Sequence, residues 1–354
     1  MRVVVVGAGI MGASIAWHLT RSGAEVIVVG SGAPAASAAS FGWINASFFH
    51  DAAHHRLRAE GLSAHRRLLD ALPDVPLSFP GALWWEAQGA DLQAFKDQLS
   101  ALDYPVAALQ RAEVQTLEPA IAGLPEEALL FHTEGVADPG RVASDLIRQS
   151  GAKMIRGVRV TGITGARSVT AVETEIGPIA ADKVVVAAGN GAPDILRSVG
   201  ITLPMLRRPG VMVMTKPVTA RLSHTLVTPH GELRQLPDGR LMASAVANHQ
   251  GDDSEDVIET PEAIAARVLA WLDPMIRDER VEWDEVTLAH RPVPQDGLPV
   301  IGSAGPEGLH VAVMHSGVTL AAIAGEVTAA QVLGTATNAQ MALVAPYGPE
   351  RFVG

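Results

Sequence analysis

The chain of 354 residues contains no cysteine. Disulfides, thiolate metal sites, cysteine nucleophiles and any cofactor tethered through sulfur are thereby excluded, and a reducing, cytoplasmic setting is the expectation. Aromatic residues are scarce, at 4% of the chain, so a large ring is more readily spent in the core than in a site. Cations are outnumbered as well: 27 Lys and Arg stand against 38 Asp and Glu, a formal charge of −11. That balance argues against a phosphate-tracking surface, and no nucleic-acid partner is expected. A spanning helix needs ~18 consecutive apolar residues, and none occurs. The closest stretch, Val311 to Leu333, is broken by His315, Ser316, Gly317 and Glu326. What remains is 48% apolar and 18% charged, with 34 Gly and 23 Pro. Disordered, coiled-coil and collagen-like classes do not fit, and ~150 residues per domain implies about two compact domains.

Val3 to Val6 is a continuous β-branched run of the kind that suits a parallel strand covered on both faces. Gly7 ends it, apolar residues recur at helical spacing from Ile10 to Arg21, and Val26 to Val29 reads as a second buried strand. Met1 to Leu19 has the outline of a secretory leader, but Gly7, Gly9 and Gly12 at fixed offsets and His18 make it part of the fold. Further on, helices are expected at about His54–Leu72, with Arg56, Arg58, Arg66 and Arg67 on the wet side, and at Asp91–Leu102, Arg111–Leu117 and Pro139–Gln149. Two more are expected at Pro261–Leu272 and Thr319–Leu333. Strands are expected at Leu83–Trp85, Lys153–Val160, Val184–Ala188 and Leu309–Val313, with a hairpin over Val169–Ile179. Two alternating compositions imply two domains threaded through each other.

Gly7-Ala8-Gly9-Ile10-Met11-Gly12 follows a strand and opens a helix, the context that makes this motif a dinucleotide site. Gly7 permits the tight turn, Gly9 lets the backbone approach a pyrophosphate, and Gly12 allows close helix–strand packing. Where an acid usually binds the ribose at the end of the second strand, this chain has Gly30 followed by Ser31. The glycine motif alone therefore leaves FAD and NADP open.

Downstream segments decide between them. Val184-Val-Val-Ala-Ala188-Gly189-Asn190 is a buried strand stopping at glycine, followed by Arg291-Pro-Val-Pro-Gln-Asp296-Gly297-Leu-Pro299-Val-Ile-Gly302 and Met314-His315-Ser316-Gly317-Val318-Thr319-Leu320. With Ser40-Phe-Gly42-Trp-Ile-Asn45 and Val136-Ala-Asp-Pro139, the whole chain resembles the FAD-dependent amine and amino-acid oxidoreductases of the D-amino-acid oxidase, glycine oxidase and sarcosine oxidase superfamily. The resemblance implies an α/β fold, a Rossmann-like FAD-binding domain interleaved with an α+β substrate domain built on a mixed or antiparallel sheet. Residues 1–75, 136–203 and 289–354 would form the first, and 76–135 and 204–288 the second.

It also implies non-covalent FAD, held by Gly7 to Gly12, Ser31, Ser37, Ser40, Val158, Ala188, Gly189 and the run His315 to Leu320. Small residues from Ala35 to Ser47 would line the pyrophosphate and the flavin edge, with Trp43 and Phe48 as walls. The helix expected to begin near Thr319 would aim its free N–H groups at the flavin's pyrimidine end, where negative charge gathers on reduction. Arg291 would bind a substrate carboxylate through its planar fork; the blander reading pairs it with Asp296 or with loop carbonyls. His50 would face the substrate. Its neighbours His54 and His55 do not complete a ligand set, so no metal is expected.

Two departures stand out. Without cysteine no cysteinyl–flavin link can form, and neither Tyr104 nor Tyr347 falls where family members place an active-site tyrosine, which implies a diverged substrate pocket. The expected reaction is oxidation of a C–N bond in an amine or amino acid, a D-amino acid, glycine, sarcosine or a proline-like compound. Hydride passes to flavin N5, and the imine hydrolyses. Electrons go on to oxygen or another acceptor. The competing readings are an NADP-dependent dehydrogenase and a flavin-binding subunit of a hetero-oligomer. Homo- or hetero-oligomers are both compatible with the sequence.

Overall fold

The four valines from Val3 to Val6 are the spine of strand β1 (Arg2–Val6), and none is more than 3% exposed. In the computed structural model, which describes residues 1–33, 36–245 and 256–352, β1 has parallel neighbours on both sides. These are β2 (Glu25–Gly30) and the strand Lys183–Val186. Burial on both faces and both edges is why the run is apolar without alternation. The sheet has six strands, in the order Val300–Ser303, Leu309–Val313, Lys183–Val186, β1, β2 and Lys153–Arg156. Only Val300–Ser303 runs antiparallel to its neighbour.

Helix α1 (Ile10–Arg21) connects β1 to β2 and buries nine of its twelve residues. A Cβ on Gly12 would stand 2.0 Å from the Gly7 carbonyl oxygen, so the helix can start this close to the strand only without one. The helix Gly317–Leu333 packs beside α1 and is buried on nearly every side. Its apolar run therefore belongs to a core helix, and no single helix among the described residues is long and apolar enough to cross a membrane.

A second sheet has eight strands, in the order Trp283–Pro294, Met205–Pro217, Arg240–Ser244, Gly231–Gln235, Thr225–Thr228, Ala82–Trp84, Glu127–Phe131 and Ala107–Gln110. All pairs are antiparallel except Thr225–Thr228 against Ala82–Trp84. The molecule is thus a mixed α/β fold whose chain crosses repeatedly between a Rossmann-like layer and a largely antiparallel one. The strand Trp283–Pro294 runs through the expected join at residues 288 and 289.

Two local expectations differ from the structure. The strand expected over Lys153–Val160 is two strands. Lys153–Arg156 pairs with β2, Gly157 turns the chain at φ +71°, and Val160–Thr164 joins a separate three-stranded sheet. Helix α2 (Ala52–Ala71) begins where Asp51 accepts from the His54 N–H. Of its four arginines, Arg56, Arg66 and Arg67 are on the wet side, but Arg58 is only 2% exposed.

Candidate active site

A cleft runs between the carboxyl ends of the parallel strands and the antiparallel sheet. Its larger part, about 1050 Å³, is lined by Gly7 to Met11, Gly30 to Gly32, Val158, Ala188 and Gly189. A smaller chamber of about 410 Å³ continues from it past Ser37, Met314 and Gly317, and is floored by Gly210, Met212, Ser244, Ala289 and Arg291 of the antiparallel sheet. A third recess of about 110 Å³ opens beside Phe41, Trp43, Phe48 and His315.

Gly7 has φ +116°, and a Cβ on it would lie 2.3 Å from the Ala187 carbonyl oxygen. The turn out of β1 thus depends on glycine both for its dihedral and for its contact with the neighbouring strand end. The N-cap of α1 is Gly9, without a side-chain cap, and the first turn carries no acid. The Ile10 N–H at that start donates to Ser37 Oγ at 3.1 Å. A Cβ on Gly30 would meet Ala8 Cβ at 2.9 Å and Met154 Cε at 3.0 Å. Apolar neighbours therefore crowd the place of the ribose-binding acid. Ser31, Arg156 and Arg159 line the same end of the cleft.

These features fit a dinucleotide. Arg156 lines the larger part of the cleft together with Arg159 and Arg207, which are paired with Glu175 and Asp256, and the acid-free start of α1 leaves its partial positive end for a phosphate. At the other end, the helix Gly317–Leu333 also starts without a side-chain cap or an acid in its first turn. It begins two residues before the expected Thr319, and Gly317 itself lines the cleft.

Other sequence-predicted residues distribute as follows. Ser37 and Ser40 line the chamber, as do His315 and Val318, while Ser316 and Thr319 line the third recess. Gly12 and Leu320 are packing residues behind the wall, the latter fully buried. Ala35 lies outside the described residues. His50 is the exception to the expected clustering. It is exposed, stacks on His54 with ring centroids 5.2 Å apart, and lines none of the three cavities. The reason is the N-cap at Asp51, which starts α2 so that His50 projects outward while His54 turns in. Burial takes His54 down to about 3, with the Arg58 charge adding to the shift.

Arg291 belongs to the floor of the chamber, its stem over Gly210, whose Cβ position is 3.4 Å from Arg291 Cγ. Asp296 does not pair with it: Arg351 Nε donates to Asp296 Oδ2 at 2.7 Å. Neither tyrosine reaches the cleft. Tyr104 donates to Glu134 Oε1 at 2.8 Å in the core, and Tyr347 is 1% exposed.

Two buried guanidiniums were not anticipated. Arg234 stacks against Phe41 at 5.5 Å, and desolvation lowers it to about 10, partly offset by Asp138. Arg58 donates through Nε to the Asn45 carbonyl at 3.1 Å, through Nη2 to Asn45 Oδ1, and through Nη1 to Ser316 Oγ. Its burial lowers it to about 10, opposed by the Glu134 charge, so it stays protonated at neutral pH. Glu134 is itself pushed up to about 7 by burial, against hydrogen bonds from Ser47 and Tyr104. The signal for Arg58 was its spacing. His54, Leu57, Gly61, Leu62, His65 and Leu68 share the buried face of α2, and Arg58 falls among them at i, i+3 and i+4.

The model of the FAD dependent oxidoreductase (DAO) family matches residues 2–331. The chain belongs to that family. Its cofactor is FAD, and the nicotinamide reading loses its support. A D-amino-acid oxidase of Bradyrhizobium diazoefficiens is 28% identical over 222 residues, 61% of this chain and 52% of that protein. A glycine oxidase of Pseudomonas aeruginosa is 26% identical over 344 residues, 90% of this chain and 91% of that one. The crystal structure of glycine oxidase from Geobacillus kaustophilus superposes with a TM-score of 0.86 at 23% identity, covering 100% of both chains. This FAD-dependent oxidoreductase thus shares the fold across its whole length.

Proposed function

We propose that this DAO-family protein oxidises the C–N bond of an amino acid or of a secondary amine bearing a carboxylate. The observation that carries the reading is Arg291 on the floor of a chamber that opens from the dinucleotide cleft, where the other charged lining residues, Asp256, Glu259 and Arg267, are engaged in ion pairs. A planar guanidinium holds a carboxylate by two parallel hydrogen bonds and so fixes the adjacent α-carbon. Phe41, Val211, Met212 and Met314 form apolar walls around that position, and such walls exclude water and strengthen the ion pair. When bound, FAD supplies the two-electron acceptor. The chain's own task is orientation, which by itself contributes several kcal/mol to such a reaction, ~7–11 at the upper limit. The amine loses a hydride and a proton, and the resulting imine hydrolyses to a carbonyl compound and an amine or ammonia. Glycine, sarcosine, proline and D-amino acids are the candidate substrates, with oxygen or another acceptor reoxidising the flavin.

The test is anaerobic mixing of the holoprotein with a panel of these compounds and of amines lacking the carboxylate. Loss of the oxidised-flavin absorbance with a carboxylated amine is expected. Bleaching by the carboxylate-free amines alone would overturn the assignment. Arg291→Met should lower kcat/KM for the active compound by about 100-fold or more while FAD remains bound, because a charge-assisted bidentate contact is lost.

A further inference from the structure

Helix α2 grips the start of the helix Gly317–Leu333 over three of its turns. Arg58 donates to Ser316 Oγ, a Cβ on Gly61 would stand 2.7 Å from the Thr319 carbonyl oxygen, and His65 Nε2 lies 2.8 Å from the Val318 carbonyl oxygen. Burial keeps His65 neutral, down to about 4, so Nε2 is the donor. The first turn is also tied to the 43–45 segment. The Asn45 N–H donates to Thr319 Oγ1, and Thr319 Oγ1 donates to the Trp43 carbonyl, both at 3.3 Å. Ser316 occupies the N-cap position, yet its hydroxyl caps nothing in its own helix and is engaged by Arg58 instead.

The turn 315–317 that this network holds lines the chamber and the third recess and, through Gly317, the larger part of the cleft. A dinucleotide held with its phosphates at the start of α1 would share a cavity with that turn, since Gly9, Ile10 and Gly317 line the same part of the cleft. Behind the turn lies a guanidinium that is 2% exposed. Its fixed positive charge adds to the partial positive charge of the uncapped helix start, in a setting where water screens little.

We propose that Arg58 is a positioning residue for flavin reduction: through Ser316 it fixes the turn 315–317, and its buried charge raises the electron affinity of the flavin held there. The reduced flavin, richer by two electrons and one proton, carries one more negative charge than the oxidised form. A cation behind the turn stabilises that form selectively. Arg58 need touch neither substrate nor flavin to do so. The inference rests on FAD lying in this cleft and not on the identity of the amine.

Sulfite affinity reports flavin electron affinity without any turnover. With FAD-loaded protein, Arg58→Met should raise the sulfite Kd about tenfold, equivalent to about 30 mV in the two-electron potential. Arg58→Lys, which keeps the charge, should stay within threefold of the parent. An increase of less than threefold in R58M overturns the proposal, and so does an R58K as weak as R58M, which would mark the arginine as packing alone. Should R58M fail to fold, Ser316→Ala carries the test. It leaves the cation but frees the turn, and an increase in sulfite Kd below threefold again overturns the proposal. Substrate bleaching by the parent protein is unaffected by either result, so failure here and failure of the amine-oxidation reading are distinguishable.

Discussion

At the scale of single residues, burial decides the chemistry more than residue type does. Arg56 and Arg58 are two positions apart on α2, yet one is in water and the other is enclosed with Asn45, Ser316 and the Glu134 carboxyl nearby. A buried guanidinium is tolerated only when its donors are engaged, and all three of its nitrogens have acceptors here. Glu134 is enclosed likewise, accepting from the Ala46 and Ser47 N–H groups and from the Tyr104 hydroxyl. Tyr104→Phe removes the shortest of these bonds while preserving ring packing. It should lower stability by about 1.5–3 kcal/mol, the range for a hydrogen bond to a charged group. Urea unfolding of the holoprotein measures it, and an unchanged midpoint would show that the hydroxyl contributes nothing.

Between elements, the approach of α2 to the helix Gly317–Leu333 is set by one missing side chain. A Cβ at position 61 would push against the backbone at Thr319, which cannot rotate away. Gly61→Ala gains helix propensity in the isolated segment, but it overpacks the crossing, at a cost of about 1–3 kcal/mol. The net expectation is a lower melting temperature together with weaker sulfite binding, since the same crossing carries the turn 315–317. A variant melting above the parent would mean that the two helices can separate without loss. The propensity scale alone predicts that opposite sign, so the measurement decides between local preference and packing.

For the whole molecule, buried neutral histidines govern the response to acid. Burial lowers His18, His65 and His310 to about 4 and His54 to about 3, from 6.5 in an unfolded chain. Below pH 6.5 the unfolded chain takes up protons that the folded one refuses, so stability is lost as pH falls from 6.5 toward 4. Glu134 acts oppositely. Its folded value near 7 lies above the ordinary 4.5, so its contribution is fully present below pH 4.5 and is lost as pH rises to 7. Four groups outweigh one, and the melting temperature should fall between pH 7 and pH 5. A melting temperature constant or rising over that interval would contradict the burial of these rings. His65→Gln, which keeps a donor for Val318, should flatten the slope.

The β1–turn–α1–β2 unit was legible in the sequence because its causes are local: an unbroken valine run, glycines at fixed offsets, and a helix whose apolar residues recur at 3.6. The family motifs were legible for the same reason, since each lies within a dozen residues. Arg291, Ser37, His315 and Gly317 could be named as candidates without coordinates. What brought them to one cleft was the tertiary structure, because Arg291 and Ser37 are separated by most of the chain. His50 and Arg58 mark the limit of local reading. Residue type suggested a substrate-facing histidine and a solvated arginine, whereas the phase of α2, set by its cap at Asp51 and its crossing at Gly61, turned the first outward and enclosed the second. Covalent order determined which turns and strands could form. Only the packing of α2 against a helix some 250 residues further along the chain decided which charges lost their water, and desolvation is a property of the assembled neighbours rather than of any segment.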